Sequence, residues 1–429
     1  MHTATACPVI VIAVGSYGDI FPYLKLAQTF QARGHEVSFI ASSYHRSLAE
    51  QAGLAFFGLG NDEDYLRILN NPDLWNPRKG FSLLASFYPE LIAEILKTTQ
   101  AVLKSCDTRV LCHPLALPAA AILREQGLIG QIVTAFLAPS NIPSCYGRLQ
   151  IEDFVLPDFV GARWRRYLWR LIEKRYIDKV ALVKINQVRS KYQLAAIRTY
   201  FGHMLATPDA ALCLFPAWFG KLQPDWPKTL LQADFPLFDG SAQTEFSPEL
   251  QTFLKAGSRP LIFTPGTGHR HAQKFFELAT QVVEQHGWRA IFLTKEKAQL
   301  PANLSANIIW QEYVPLRQLL PHAALLAHHG GIGTSAEAMR AAVPQLITPY
   351  AWDQFDNGGR MQELGIARSI PAKKLNLATM SAALRALLNS AQVQQSCLSV
   401  AANFADSESA ASMCERLESA LSSRQSGVC

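Results

Sequence analysis

The stretch HHGGIGTSAEA, residues 328–338, constrains the fold of this chain more than any other part of it. It follows the apolar run Ala324-Leu325-Leu326-Ala327, which reads as a buried strand, and precedes Glu337-Ala338-Met339-Arg340-Ala341-Ala342, which reads as a helix. A short apolar strand handed to a helix through glycines is the repeating joint of a parallel α/β sheet. The joint also carries chemistry. A helix N-terminus offers unpaired N–H groups and the positive end of the helix dipole, which together make an anion site. Gly330, Gly331 and Gly333 let the backbone approach a phosphate without a Cβ in the way. His329 adds a donor and Thr334 a hydroxyl, while Glu337, one turn on, can accept hydrogen bonds from a ribose diol. The same glycines also suit a plain tight turn. A second polar cluster favours the site: Pro349-Tyr350-Ala351-Trp352-Asp353-Gln354-Phe355-Asp356-Asn357 closes the next apolar run, 345–348. Ligands of open α/β sheets bind beyond the carboxyl ends of the strands, so both clusters point at one crevice.

The alternation extends along the chain. Strands are expected at 9–14, 37–40, 110–112 and 132–134, then at 261–264, 290–293, 307–310, 325–327 and 345–348, with helical patterns between them such as 24–33 and 91–103. The proline-rich stretch 215–236 breaks the rhythm and reads as a linker, and 407–420 reads as a closing helix. A chain of 429 residues exceeds what one core usually holds, about 250–300 residues, so two wound domains are expected.

With 49% hydrophobic and 17% charged residues the chain is globular. No apolar run reaches the roughly 18–20 residues that span a bilayer. The run 8–15 lacks a basic leader and continues into Ser16-Tyr17-Gly18-Asp19, so it reads as a first strand and not as a signal peptide. Eight cysteines without CxxC or framework spacing suit reduced thiols in a cytoplasmic protein. The net charge of +6 is uneven: seven basic residues against Glu173 and Asp178 give the segment 161–180 a net of +5. Trp164, Leu168, Leu171 and Ile172 in that segment fall on one apolar helix face. Two readings stand, an ordinary amphipathic helix with a solvated basic face, or a peripheral membrane contact through 162–179. Basic residues are otherwise scattered and match no nucleic-acid-binding module.

These motifs resemble those of the nucleotide-sugar glycosyltransferases of the GT-B fold, in which HHGGIGT and the later Asp-Gln pair mark the donor site. Segments LCLFPAWF (212–219), PDWP (224–227), FPLFDGS (235–241), GSRPLIFT (257–264) and WDQFDN (352–357) are similar to the rhamnosyltransferases of rhamnolipid synthesis. The resemblance implies an α/β GT-B architecture, two Rossmann-like doubly wound domains facing across a cleft. Residues 1–222 would bind the acceptor, 223–406 the nucleotide sugar, and 407–429 would pack back on the first domain. It implies a diphosphate site at Thr267, Gly268, His329, Gly331, Gly333 and Thr334, a nucleoside site at Tyr313, Val314 and Glu337, and sugar contacts from Asp353 and Gln354. It implies a base at Asp19, where relatives carry Gly-x-x-Gly-Asp-x-x-Pro. A strand end sets that carboxylate at a cleft mouth, and partial burial would raise its pKa. Asp19 also suits a helix cap, Tyr313 suits core packing, Asp356 a helix start, and Trp352 the wall of a 6-deoxy sugar. His35 reads as structural, and His113 as a minor candidate on the acceptor side. The activity implied is an inverting, metal-independent transfer of L-rhamnose from dTDP-L-rhamnose to the hydroxyl of a 3-(3-hydroxyalkanoyloxy)alkanoate, a hydroxy-fatty-acid lipid, giving mono-rhamnolipid. It needs no cofactor beyond the donor. Alternatives are a UDP-glucose-dependent enzyme acting on another lipid, a sterol or a polyketide, a non-catalytic nucleotide- or lipid-binding subunit, and a sugar-nucleotide epimerase.

Overall fold

The computed structural model describes residues 7–157, 159–238 and 245–425. Two parallel sheets carry it. The first has seven strands, β1 (Val9–Ile12), β2 (Val37–Ser42), β3 (Ala55–Leu59), β4 (Arg109–Cys112), β5 (Gln131–Phe136), β6 (Ala210–Cys213) and β7 (Leu230–Gln232), in the order β3-β2-β1-β4-β5-β6-β7. The second has six, β8 (Leu261–Thr264), β9 (Ala290–Leu293), β10 (Ile308–Gln311), β11 (Leu325–His328), β12 (Gln345–Ile347) and β13 (Ala367–Ser369), in the order β10-β9-β8-β11-β12-β13. Strands β1, β4, β6, β9 and β11 are buried at every residue. That burial on both faces explains why the runs expected at 9–14, 110–112, 290–293 and 325–327 are apolar without alternation, while β6 was not among the expected strands.

Each sheet reverses its strand order once beside its first strand, between β1 and β4 and between β8 and β11. Loops diverge there and leave a crevice at the carboxyl ends. Five helices matter below: α1 (Tyr17–Ala32), α2 (Ala162–Ile172), α3 (Ile332–Arg340), α4 (Gln354–Glu363) and α5 (Ala410–Gln425). Helix α5 lies on the first unit: Leu417 and Leu421 enter its core, and Glu418 receives Arg33 at 2.7 Å and His35 at 3.0 Å. Residues 426–429 lie outside the described residues.

Three expectations change. The stretch 215–236 is not only a linker, because β7 pairs in parallel with β6. The first unit therefore runs past residue 222, where the domain boundary was expected. Helix α3 begins at Ile332 and not near Glu337, so Gly333 and Thr334 lie in its first turn. Helix α2 presents Trp164 and Tyr167 outward, 68% and 58% exposed, whereas Arg165 is buried and Trp169 turns inward, donating to Ser144 O at 2.8 Å. Among the described residues no helix is long and apolar enough to cross a membrane, and the described cysteines are free thiols.

Candidate active site

The loops after β8 and β11 flank the switch of the second sheet and close on one imidazole. A Cβ added at Gly266 would stand 2.4 Å from His329 Cε1, and one at Gly331 would stand 2.4 Å from His329 Nε2. Both positions must therefore be glycine for the ring to lie between the loops. Gly330 has φ +94°, and a Cβ there would meet Ile347 at 2.8 Å, so only glycine suits the turn. His328, the other half of the doublet, is structural: its ring holds Gln345 Oε1 at 2.9 Å and accepts from Gly330 N–H at 3.2 Å. Burial pushes the His329 pKa down to about 3, with His328 adding to the effect. At neutral pH His329 is thus an uncharged hydrogen-bond donor, and its Nδ1 is enclosed without a protein partner. Ser335 N–H makes the bond to Gly331 O that opens α3. The amides of Ile332, Gly333 and Thr334 before it have no acceptor within the helix and make an anion cradle with the dipole.

Thr267 is exposed and Gly268 buried in the loop after β8. A Cβ at Gly268 would lie 3.2 Å from Trp75 and 3.4 Å from Ser16, so this loop reaches the first unit. The two units also meet through Arg270 and Asn70 at 2.8 Å and through Lys295 Nζ and Tyr17 Oη at 3.0 Å.

On the nucleoside side Tyr313 is 55% exposed, which removes the core-packing alternative. Burial raises the pKa of its phenol, against the lowering effect of Lys295. Val314 is buried beside it. Glu337 is tied to Arg340 at 2.5 Å, and burial raises its pKa more than Arg340 lowers it.

After β12 the chain turns through Trp352, at φ +60°, a costly conformation for a bulky residue. Gln354 Oε1 holds that turn by accepting from Tyr350 N–H at 2.8 Å and Ala351 N–H at 3.2 Å. The amide oxygen of Gln354 is therefore occupied, and its NH2 group is what remains for a sugar. Asp353 is fixed by Asn357 Nδ2 at 2.7 Å, which also reaches Gly330 O at 3.0 Å. Asn357 thus ties the loop after β12 to the loop after β11. It was not among the expected site residues, although it stands one helical turn after Asp353. Asp356 pairs with Arg360 at 2.7 Å and is structural.

The facing carboxylate is Asp19, in the first turn of α1. Its Oδ2 accepts from Ser16 N–H at 2.7 Å and Ser16 Oγ at 3.1 Å, so the capping alternative is realised as well. Gly15, φ +133°, makes room: a Cβ there would lie 2.3 Å from Asp19 Oδ2. Burial lifts the Asp19 pKa to about 6 against the lowering effect of the Ser16 bonds. Asp353 is lifted to about 7, first by burial and then by the negative charge of Asp19.

Other residues gather behind Asp19. His45 Nε2 and Tyr65 Oη each approach Gly15 O at 3.2 Å, and His45 stands edge-on to Tyr17 at 5.2 Å. His45 and Lys295 follow β2 and β9 closely, so the strand-end rule applied to every strand would have found them. His113 accepts from Leu115 N–H at 3.2 Å, and burial lowers its pKa to about 3; it shapes its turn. His35 joins Cys7 O at 3.1 Å to Glu418 and stays out of the cleft. Among the described residues no group of three or more His, Cys, Asp or Glu is placed to hold a metal ion.

Known proteins resemble this chain in both of its units. Residues 9–113 match the glycosyltransferase family 28 N-terminal domain, and residues 278–420 match the erythromycin biosynthesis protein CIII-like C-terminal domain. The chain is 25% identical over 401 residues to O-mycaminosyltylonolide 6-deoxyallosyltransferase of Streptomyces fradiae, covering 88% of this chain and 89% of that one. It is 23% identical over 405 residues to a sterol 3-beta-glucosyltransferase of Arabidopsis thaliana, covering 89% of this chain and only 63% of that relative. Among solved structures, spinosyn rhamnosyltransferase complexed with thymidine diphosphate superposes with a TM-score of 0.67 at 19% identity, covering 96% of this chain and all (100%) of that one.

Proposed function

We propose that this chain, a glycosyltransferase of GT-B type, moves L-rhamnose from dTDP-L-rhamnose to the hydroxyl of a 3-(3-hydroxyalkanoyloxy)alkanoate. The observation that carries the reading is geometric. Asp19, held by Ser16 after β1, stands on the unit that meets the loop after β8 at Gly268, and that loop and the start of α3 enclose the His329 imidazole. Burial raises the pKa of both Asp19 and Asp353. One can take a proton while the other orients a sugar.

The chemistry follows from the placement. Asp19 accepts the proton of the acceptor hydroxyl as its oxygen attacks the anomeric carbon. The bond from that carbon to the diphosphate breaks, and its electron pair passes to the diphosphate oxygens. Negative charge grows there, where the first amides of α3, His329 and the loop of Thr267 and Gly268 can meet it. Donors fixed at the site of growing charge lower the barrier more than they tighten substrate binding. One displacement from the opposite face inverts the anomeric configuration. No step calls for a cofactor or a metal.

For the donor, support comes from the thymidine diphosphate bound to the spinosyn rhamnosyltransferase neighbour and from the segments similar to the rhamnosyltransferases of rhamnolipid synthesis. A second reading draws on the macrolide and sterol relatives: a different hexose, such as glucose from UDP-glucose, passed to a polyketide or sterol. Supplying dTDP-L-rhamnose and UDP-glucose separately with the lipid acceptor, with product mass as the readout, separates them. Rhamnolipid from the first donor alone is expected; turnover with UDP-glucose alone overturns the rhamnose assignment. Donor binding without turnover would mark a non-catalytic subunit, and donor conversion without acceptor an epimerase.

Tyr313 offers a check on the nucleoside side. Stacking of an aromatic ring on a base contributes about 1–3 kcal/mol, so Tyr313→Ala should raise the donor KM about tenfold or more and leave kcat nearly unchanged. An unaltered KM takes Tyr313 out of the site.

A further inference from the structure

Helix α2 and the loop before it expose what a soluble surface normally covers. Trp164, Tyr167 and Leu171 are 68%, 58% and 38% exposed. At about 100° per residue they fall on one stripe, and the Trp164 and Tyr167 rings touch at 6.3 Å. Phe154, in the antiparallel hairpin of 150–151 and 154–155, and Phe159, in the loop before α2, are 60% and 88% exposed. Arg163, Arg170 and Lys174 run beside the stripe on the same outward side and are exposed. Among the described residues none of the three has an ion-pair partner.

The acids of the segment face the other way. Glu173 accepts from Phe201 N–H at 2.9 Å and Asp178 from Tyr200 N–H at 2.9 Å. In the nearby hairpin, Glu152 is bridged by Lys373 and Asp153 by Lys373 and Lys374. The outward face of α2 therefore keeps its positive charge uncancelled.

This orientation is built in. Buried Arg165 donates to Val160 O at 2.8 Å, Gly147 O at 2.7 Å and Pro157 O at 3.0 Å. Three carbonyls satisfy its guanidinium on the inner side of the helix and clamp the preceding loop to it. With the inner side taken by an arginine and its acceptors, the aromatic stripe can only face out.

We propose that this face docks the protein on a bilayer containing anionic lipid. An exposed aromatic stripe beside unpaired arginines is the pattern of a helix lying in the headgroup layer, the rings sitting at the acyl boundary and the cations meeting lipid phosphates. The proposal is independent of which sugar is moved and of whether Asp19 is the base.

The test is co-sedimentation of the full chain with phosphatidylcholine vesicles, with and without about one third phosphatidylglycerol. Partition onto the anionic vesicles should exceed that onto neutral ones by about tenfold or more, and fall with salt. Replacing Arg163, Arg170 and Lys174 together by Gln should weaken it about a hundredfold. The pair Trp164→Ser and Tyr167→Ser should weaken binding even at low salt. Both variants should keep the wild-type melting temperature and thymidine diphosphate affinity, which separates failure of this proposal from failure of the donor assignment. Equal partition onto both vesicle types, no partition, or variants that bind as the wild type does would overturn it.

Discussion

Replacing Asp19 by Asn is expected to lower kcat by about two to four orders of magnitude, the range assigned to a general base, while thymidine diphosphate affinity stays within about twofold. The substitution is clean because the carboxylate has two separable tasks. As a cap, Oδ2 accepts from Ser16 N–H and Ser16 Oγ, and an asparagine Oδ1 can accept the same bonds. Helix α1 should thus lose less than the roughly 1 kcal/mol typical of a removed cap. As a base, the carboxylate takes a proton, which an amide cannot do at neutral pH. Loss of turnover without loss of melting temperature identifies the second task, and near-normal turnover rules Asp19 out. The pH profile adds an independent readout. A base works ionised, so transfer should fall as pH drops through about 6, where burial has placed this group. Ser16→Ala removes the hydroxyl bond that favours the ionised form and keeps the backbone N–H bond, so it should move that acid limb to higher pH. An acid limb that stays in place in the Ser16 variant would detach it from Asp19.

The sequence disclosed the donor half of the site more fully than the rest, for a physical reason. Strands buried on both faces are continuous apolar runs, so β8 and β9 were legible to the residue at 261–264 and 290–293. The loops after such strands hold most of the residues assigned to the proposed donor site. The edge strands β3, β7 and β13 were not legible, nor was the interior β6, whereas the edge strand β10 was expected at 307–310. Strand β7 has three residues closely following Pro227, and β3 carries Gly58, whose missing Cβ admits Ser43. Neither offers a period long enough to recognise. The start of α3 was missed because glycines at 330, 331 and 333 argue against a helix, yet the joint needs its N-terminus there. Helix α2 marks a different limit. Periodicity reports that a stripe exists but not which way it faces, and contacts such as the backbone carbonyls around Arg165 decide that. Asn357, Lys295 and Tyr17 act by joining loops distant in sequence, a relation that no local pattern contains.

Removing the His329 side chain should cost about two to three orders of magnitude in kcat/KM, comparable to loss of one fixed donor at a developing oxyanion. The more discriminating variant is Gly331→Ala, which keeps the imidazole. A Cβ at Gly331 would stand 2.4 Å from His329 Nε2. The obstructed atom is the far end of a side chain, so the ring swings away and the backbone of α3 stays. Gly331 has φ −62° and ψ 139°, a conformation open to alanine, so the melting temperature should barely move. Activity should nevertheless fall nearly as far as in His329→Ala. If His329 only filled space, the added methyl would replace part of that volume and activity would survive. The two substitutions together should cost little more than either alone, because both remove one interaction. The defect should also be insensitive to pH near neutrality, since burial holds the His329 pKa near about 3. The ring contributes as a neutral donor throughout that range. A His329→Ala profile that lost an alkaline limb would mean that a charged imidazolium had acted in its place. A Gly331→Ala enzyme of wild-type activity would separate His329 from the diphosphate altogether.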